Sequence, residues 1–290
     1  MPVNLASKYS PLVDERFYKA ALTSGAVNQR YDWAGVNTVN VYSIPTSPMN
    51  NYVRSGDKRY GTPEELGNDL QSMDVKQDRA FTFTIDRGNN METMGVMESG
   101  AALSRQLNEV VIPEVDIYRL AVFAANAGTT GSGVITRDNA YEMFLDGAVA
   151  LSDKKAPLAG RIAFIGPNFY KFIRLDDSFI KKADMSQQML INGAVGMVEN
   201  IPLIFVPSTY FVPGVEFIIT HPIASPSPVR LTDYKIHDNP PGINGWLIEG
   251  RIIYDCFTLN NKKDAIYVHM SDADPGDPGD PGDPGDPNET

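Results

Sequence analysis

Ser178-Phe179-Ile180-Lys181 has SxxK spacing, in which a lysine one helical turn away takes the serine proton and frees the hydroxyl for acyl transfer. The SDN and KTG elements that complete such a hydrolase are missing from the sequence, as is the GxSxG elbow. A chain with this many serines and lysines produces SxxK by chance. The three histidines, His221, His237 and His269, are far apart and form no HExxH, so each is read as a surface or satisfied structural imidazole. The run from Gly128 to Gly133 has the glycines of a phosphate loop but not its lysine, and there is no GxGxxG. A hinge is the expected role. Cys256 is the only cysteine, which excludes an internal disulfide framework and a cysteine-rich zinc site. In the strand-like run Ile252 to Leu259 it reads as a buried structural thiol. Carboxylates are plentiful, yet none is spaced as an acid–base couple. The expectation is no catalytic, cofactor-binding or metal site and no enzyme, with a serine hydrolase on Ser178 and Lys181 as the enzymatic alternative.

At 290 residues and 42% hydrophobic content, the chain can bury one sizeable core or two smaller ones. No run approaches the roughly 20 apolar residues of a membrane span, and Met1-Pro2-Val3-Asn4 lacks the regions of a signal peptide. The protein is expected to be made and kept in the cytosol until lysis. Its formal charge is −11, but Ser271 to Thr290 carries six Asp and one Glu without a basic residue, leaving 25 basic against 29 acidic side chains on residues 1–270. Neither part has the basic stripe that grips phosphates. DNA beside this surface would be tolerated without being gripped.

The elements are expected in an unusual order. Val36 to Ile44 is β-branched and aromatic, and Arg79 to Asp86 alternates Phe81, Phe83 and Ile85 with polar residues, so both read as strands. Between them, Pro45 to Asp74 is longer than the roughly 12–15 residues beyond which unstructured connections are uncommon. Either the two runs form an arm that lies on something else, because a lone hairpin is marginal in water, or both belong to a larger sheet with a loop between them. Thr62-Pro63-Glu64-Glu65 has the form of a capping box and predicts a short helix. Arg54, Lys58 and Arg59 precede Glu64, Glu65 and Asp69, a segregation that suits a contact or a solvated face.

Residues 1–30 are mostly polar and read as an arm with a short helix in Val13 to Leu22. From Met91 the spacing of Met94, Met97, Ala101, Leu107 and Val111 predicts a helix, broken or kinked at Pro113 and resumed through Val115, Tyr118 and Val122. Thr136 caps a further helix with Tyr141, Phe144, Leu145, Ala148 and Val149 on its apolar side. Strands are expected at Arg161 to Ile165, Ile201 to Val206, Val215 to Thr220, Trp246 to Leu259 and Ala265 to His269, with turns at Gly193 to Glu199 and Asn260-Asn261. The sum is α+β. The tail repeats Gly-Asp-Pro from Gly276 to Pro287, too short for a collagen triple helix, and reads as a disordered, solvated acidic spacer dispensable for the fold. A collagen-like adhesive module is therefore disfavoured.

Several phrases carry a likeness that spans residues 1–270. They include Val3-Asn4-Leu5-Ala6, Val13-Asp14-Glu15-Arg16, Tyr31-Asp32-Trp33, Val39-Asn40-Val41-Tyr42 and Arg59-Tyr60-Gly61-Thr62-Pro63-Glu64-Glu65-Leu66-Gly67. Phe81-Thr82-Phe83-Thr84-Ile85-Asp86-Arg87-Gly88-Asn89-Asn90, Val111-Ile112-Pro113-Glu114-Val115-Asp116-Ile117-Tyr118-Arg119 and Asn139-Ala140-Tyr141 extend it. Together they resemble the major capsid proteins of tailed bacteriophages with the HK-ninety-seven-like fold, an architecture shared with encapsulin shells.

The resemblance implies an N-terminal arm (1–30), an extended β-hairpin loop (31–86), a peripheral domain with a long spine helix (87–126 and 225–258), an axial domain (127–224 and 259–270) and the tail (271–290). It implies a structural virion protein, assembled in the host cytoplasm, that forms pentamers and hexamers and encloses double-stranded DNA without reading its sequence. A separate scaffolding protein and a portal are the expected partners, and a decoration protein is a further one. An encapsulin-like nanocompartment shell is the alternative. Some members cross-link a loop lysine to a neighbour's asparagine; Lys58 lies in the corresponding loop, but its surroundings give no such site, and no cross-link is expected.

Overall fold

The computed structural model describes residues 21–29, 38–43, 45–92, 99–175 and 194–271. In chain order its strands are β1 (Thr38–Ser43), β2 (Asp69–Asp74), β3 (Gln77–Asp86), β4 (Thr129–Ser132), β5 (Ile162–Ile165), β6 (Ala194–Val198), β7 (Ile201–Phe205), β8 (Val215–Thr220), β9 (Val229–Asp238), β10 (Gly245–Tyr254) and β11 (Ile266–Met270). The helices are α1 (Arg87–Glu92), α2 (Ser99–Gln106), α3 (Ile112–Ala125), α4 (Ala140–Asp153) and α5 (Pro167–Leu175), with a π-helical turn at Leu107–Val111 joining α2 to α3. The strands form a ribbon β1-β2, a sheet β3-β10-β9 and a mixed sheet β4-β11-β8-β5-β7-β6.

The six-stranded sheet is covered on both faces, which is why consecutive positions Phe217, Ile218 and Ile219 of β8 are all apolar and buried. Ala163, Ile165, Phe217, Ile219 and Tyr267 face α4 and α5, while the alternate residues Phe164, Ile218, Ile266 and Val268 face Leu120 and Phe123 of α3. Tyr267 fits only because two neighbours are glycines: a Cβ at Gly131 would collide with its hydroxyl, and one at Gly147 with its ring. The three-stranded sheet has one such covered face. Ile85, Tyr234, Ile248 and Ile252 pack on Leu103, Leu107, Val111, Ile112 and Val115. Phe81 and Tyr234 close over Gly250, where a side chain would strike both rings.

Pro113 neither breaks nor ends the spine. A π-helical turn precedes it, with the Ile112 N–H bonded to the Leu107 carbonyl. The widened turn is a recognised way for a helix to accommodate a proline that would otherwise crowd the preceding carbonyls.

Other expectations are corrected. β1 pairs with β2, which lies inside the supposed insert, and β3 pairs instead with β10; the ribbon is therefore built from 38–43 and 69–74. Thr62 to Asn68 is not helical, since a helix this short cannot hold without packing. Gly128 to Gly133 is no hinge: β4 occupies 129–132 and pairs in parallel with β11. Thr136 does not cap α4. Its N–H donates to Asn139 Oδ1 at 2.7 Å, and the helix starts at Ala140. Val149 is exposed. The turn expected at Gly193 to Glu199 is mostly β6, and the reversal itself is Glu199-Asn200, both at positive φ, the conformation of a two-residue hairpin turn that suits the strand twist. β10 and β11 belong to different sheets, so Asn260-Asn261 does not join a hairpin.

Candidate assembly surfaces

Among the described residues, the ribbon β1-β2 packs on the body at its root. Val39 and Met73 are buried against Leu259, with Val41 and Phe257 beside them. Gln71 Nε2 donates to the Thr258 carbonyl at 3.0 Å, and its Oε1 accepts the Asn260 N–H at 3.1 Å. Beyond this root, residues 45–70 are almost wholly exposed, yet the segment carries large apolar side chains. Met49 is 99% exposed, Tyr60 84% and Tyr52 52%, with Val53 and Leu66 also open to solvent. Tyr52 and Tyr60 meet edge to face at 5.0 Å, and the loop between them closes through Val53 N–H to the Arg59 carbonyl at 3.0 Å and Gly61 N–H to the Lys58 carbonyl at 3.1 Å. Apolar side chains concentrated on one projecting element mark a contact surface.

An open groove lies on the body. Phe81 and Phe83 of β3 form one wall and Ala102, Gln106 and Val110 of the spine the other. Its rim carries the ion pairs Arg79–Glu114 at 2.6 Å and Arg105–Glu109 at 2.9 Å.

Where residues 21–24, α3 and the link after β2 converge, the interior is polar. Asp116 accepts the Leu22 N–H at 3.0 Å, the Thr23 N–H at 3.2 Å and the Thr23 hydroxyl at 2.5 Å. Burial pushes its carboxyl above the ordinary range, against those donors and the Arg119 charge. Arg119 Nη1 donates to Thr23 Oγ1 at 3.1 Å and its Nε to Ser227 Oγ at 2.9 Å. The Ser227 hydroxyl donates to the Asp255 carbonyl at 2.7 Å. The Asp255 carboxylate then accepts the Lys76 N–H at 2.8 Å, the Cys256 N–H at 2.7 Å and the Tyr118 hydroxyl at 2.7 Å. None of these residues was singled out for a polar role from the sequence. Their partners are 93 or more residues apart for Asp116 and Arg119, beyond any spacing motif, and only pairwise covariation among relatives could reveal them.

The residues with chemical potential are scattered. His221 Nε2 donates to the Ala159 carbonyl at 2.9 Å while its Nδ1 accepts the Ile223 N–H. His237 pairs with Glu249 on an exposed sheet face. His269 is buried, stacked on Phe217 at 4.9 Å, with Nε2 on the Gly133 carbonyl. Ser178 and Lys181 lie outside the described residues, as do residues 1–20 and 272–290. Among the described residues no group of three or more His, Cys, Asp or Glu could hold a metal, and no helix is long and apolar enough to cross a membrane. Cys256 lies just past β10 and is buried, and burial pushes its thiol up to about 12. Almost no thiolate forms at neutral pH. The native protein is expected to resist Ellman's reagent and to release one equivalent only after denaturation; brisk native labelling would contradict the burial.

No protein-family model and no curated protein matches the sequence. Solved structures do match. A chain of Mycobacterium phage Che8 superposes with a TM-score of 0.68 at 16% identity, over 86% of this chain and 90% of that one. The capsid of Cyanophage P-SCSP1u gives 0.68 at 13%, over 87% and 88%. The virus-like particle from Pyrococcus furiosus gives 0.56 at 11%, over 92% and 100%. At such identities the likeness is one of architecture, and the chain is an α+β protein with the phage-capsid fold.

Proposed function

We propose that the chain is a major capsid protein whose copies associate into pentamers and hexamers and build the icosahedral head of a tailed phage. The projecting ribbon supports this reading: on a body with the phage-capsid fold, a two-stranded element ends in apolar side chains left exposed by the described residues. A ribbon tip seated on the next copy, in the groove between β3 and the spine, makes a heterologous contact, and repeated heterologous contacts that close make rings. Each contact can be weak, because many act together through effective concentration.

In this reading residues 1–30 are the arm, the extended loop runs from 31, the peripheral domain spans 87–126 and 225–258, the axial domain spans 127–224 and 259–270, and 271–290 are a tail. The last ten residues of the 31–86 loop go with the peripheral sheet by their pairing to β10. The role is structural, with no reaction of its own. A separate scaffolding protein and a portal are its partners, a decoration protein is a further one, and packaged double-stranded DNA is enclosed without sequence-specific contact. The virion is its destination, after assembly in the host cytoplasm.

An encapsulin-like nanocompartment shell is the second reading, favoured by the likeness to the Pyrococcus particle. Adjacent genes separate the two: a terminase or portal for a phage head, a cargo enzyme for a nanocompartment. Negative-stain electron microscopy of the expressed chain, alone and with its neighbouring genes, is expected to show pentamers, hexamers or shells. A well-behaved monomer under both conditions would overturn both readings.

A further inference from the structure

The buried polar groups between residues 21–24 and the ribbon form one continuous series of hydrogen bonds. It starts at the Leu22 and Thr23 amides on Asp116, passes through the Thr23 hydroxyl to Arg119, through Ser227 to the Asp255 carbonyl, and ends on the Asp255 carboxylate at the Lys76 amide. Two features make the series more than internal satisfaction. Lys76 stands in the two-residue link, Val75-Lys76, between the end of β2 and the start of β3, which is the pivot about which the ribbon joins the body. Thr23 and Ser227 are wholly buried, and Asp116, Arg119 and Asp255 nearly so, so a group that loses its partner has no water to turn to, and the neighbour must move to satisfy it.

We propose that this series is a latch that couples residues 21–24 to the ribbon: seating of Leu22 and Thr23 on Asp116 fixes Arg119 and Ser227, which hold Asp255 in the position that clamps the ribbon pivot. The two are then set together, and a subunit in which residues 21–24 are unseated has a loosened ribbon. The hydroxyls of Thr23 and Ser227 are the transmitting groups, since each donates to one member of the series while accepting from Arg119. The coupling is a property of the single chain and holds whether or not the chain builds a shell.

Hydrogen exchange read by mass spectrometry on the full-length chain tests it, with each variant compared to the parent in the same association state. Thr23→Val removes the hydroxyl that bridges Asp116 and Arg119. Exchange is expected to rise about tenfold at residues 21–24, the scale of one lost buried hydrogen bond, and also to rise severalfold in the peptide covering 70–77. Ser24→Ala is the control, because the Ser24 hydroxyl bonds only locally, to the Ala21 carbonyl; it should leave 70–77 unchanged. Coupling between sites is reciprocal, so Asp255→Asn, altered at the ribbon end, should loosen 21–24. Ser227→Ala cuts the middle and should loosen 70–77 even if Thr23→Val does not fold. Faster exchange confined to the altered end, in either direction, would show residues 21–24 and the ribbon to be independent and overturn the proposal. So would an unchanged 70–77 peptide in Ser227→Ala.

Discussion

Phe217→Ala is expected to cost about 3–5 kcal/mol of stability, the range for deleting a buried aromatic ring from a core that cannot collapse around the void. The ring is fully buried at the centre of an aromatic cluster, 4.7 Å from Phe169, 4.9 Å from His269, 5.6 Å from Phe144 and 5.8 Å from Tyr267. Those partners come from α5, β11 and α4, elements fixed by backbone pairing or by their own packing on the sheet, so none can move in to fill the space. Phe217→Leu retains most of the volume and should lose much less, about 1.5 kcal/mol or under. Urea unfolding followed by circular dichroism measures both, and a loss below about 1 kcal/mol for the alanine variant would mean that the cluster is not the packed centre of the core over the six-stranded sheet.

The opposite pattern is expected at the ribbon tip. The double variant Tyr52→Ser, Tyr60→Ser removes two exposed rings that touch chiefly each other, so the stability of the isolated subunit should change by no more than the roughly 0.5 kcal/mol typical of surface changes, with little shift in thermal midpoint. Association should collapse. Tyrosines buried at the centre of a contact are worth about 2 kcal/mol or more each, roughly thirtyfold per tyrosine, and the loss recurs at every contact of a closed assembly. Sedimentation velocity of parent and variant at equal concentration gives the comparison. Shells in parental yield would remove the tip from the assembly surface, whereas a fall in thermal midpoint would assign the tyrosines to the subunit's own fold.

How far the sequence reveals this molecule differs by element, for physical reasons. β8 was legible because both of its faces are buried, so Val215, Phe217, Ile218 and Ile219 make most of its positions apolar. β9 has an equally clear alternation, Tyr234 and Ile236 inward against Asp233, Lys235 and His237 outward, but its charged face and the prolines before it look like a loop when no partner strand is in view. β4 hid for a different reason: its Gly131 is there to admit Tyr267 from β11, and a glycine required by a distant ring looks locally like flexibility. The helix α5 opens on Pro167 after a single glycine and follows a strand that had already drawn the eye. The ribbon was partly legible, since the length of Pro45 to Asp74 marks either an arm lying on something else or a long loop of a larger sheet. Its strand β2 was not, because Asp69 to Asp74 has too little apolar content to alternate. The latch residues left no trace in spacing at all.

The spine has a mechanical consequence of its own. Ile112 and Val115 belong to the core under the three-stranded sheet, whereas Leu120 and Phe123 belong to the core under the six-stranded one, so a single rigid rod is keyed into both like an axle carrying two wheels. With about 1.5 Å of rise and 100° of rotation per residue, the stretch from Val115 to Leu120 fixes both the spacing and the phase of the two sheets. Gaining or losing one residue there would turn one wheel by more than a quarter revolution against the other. The permitted geometries of the two lobes therefore form a discrete set, and a length change in this short stretch is the one alteration that substitutions elsewhere could not gradually compensate.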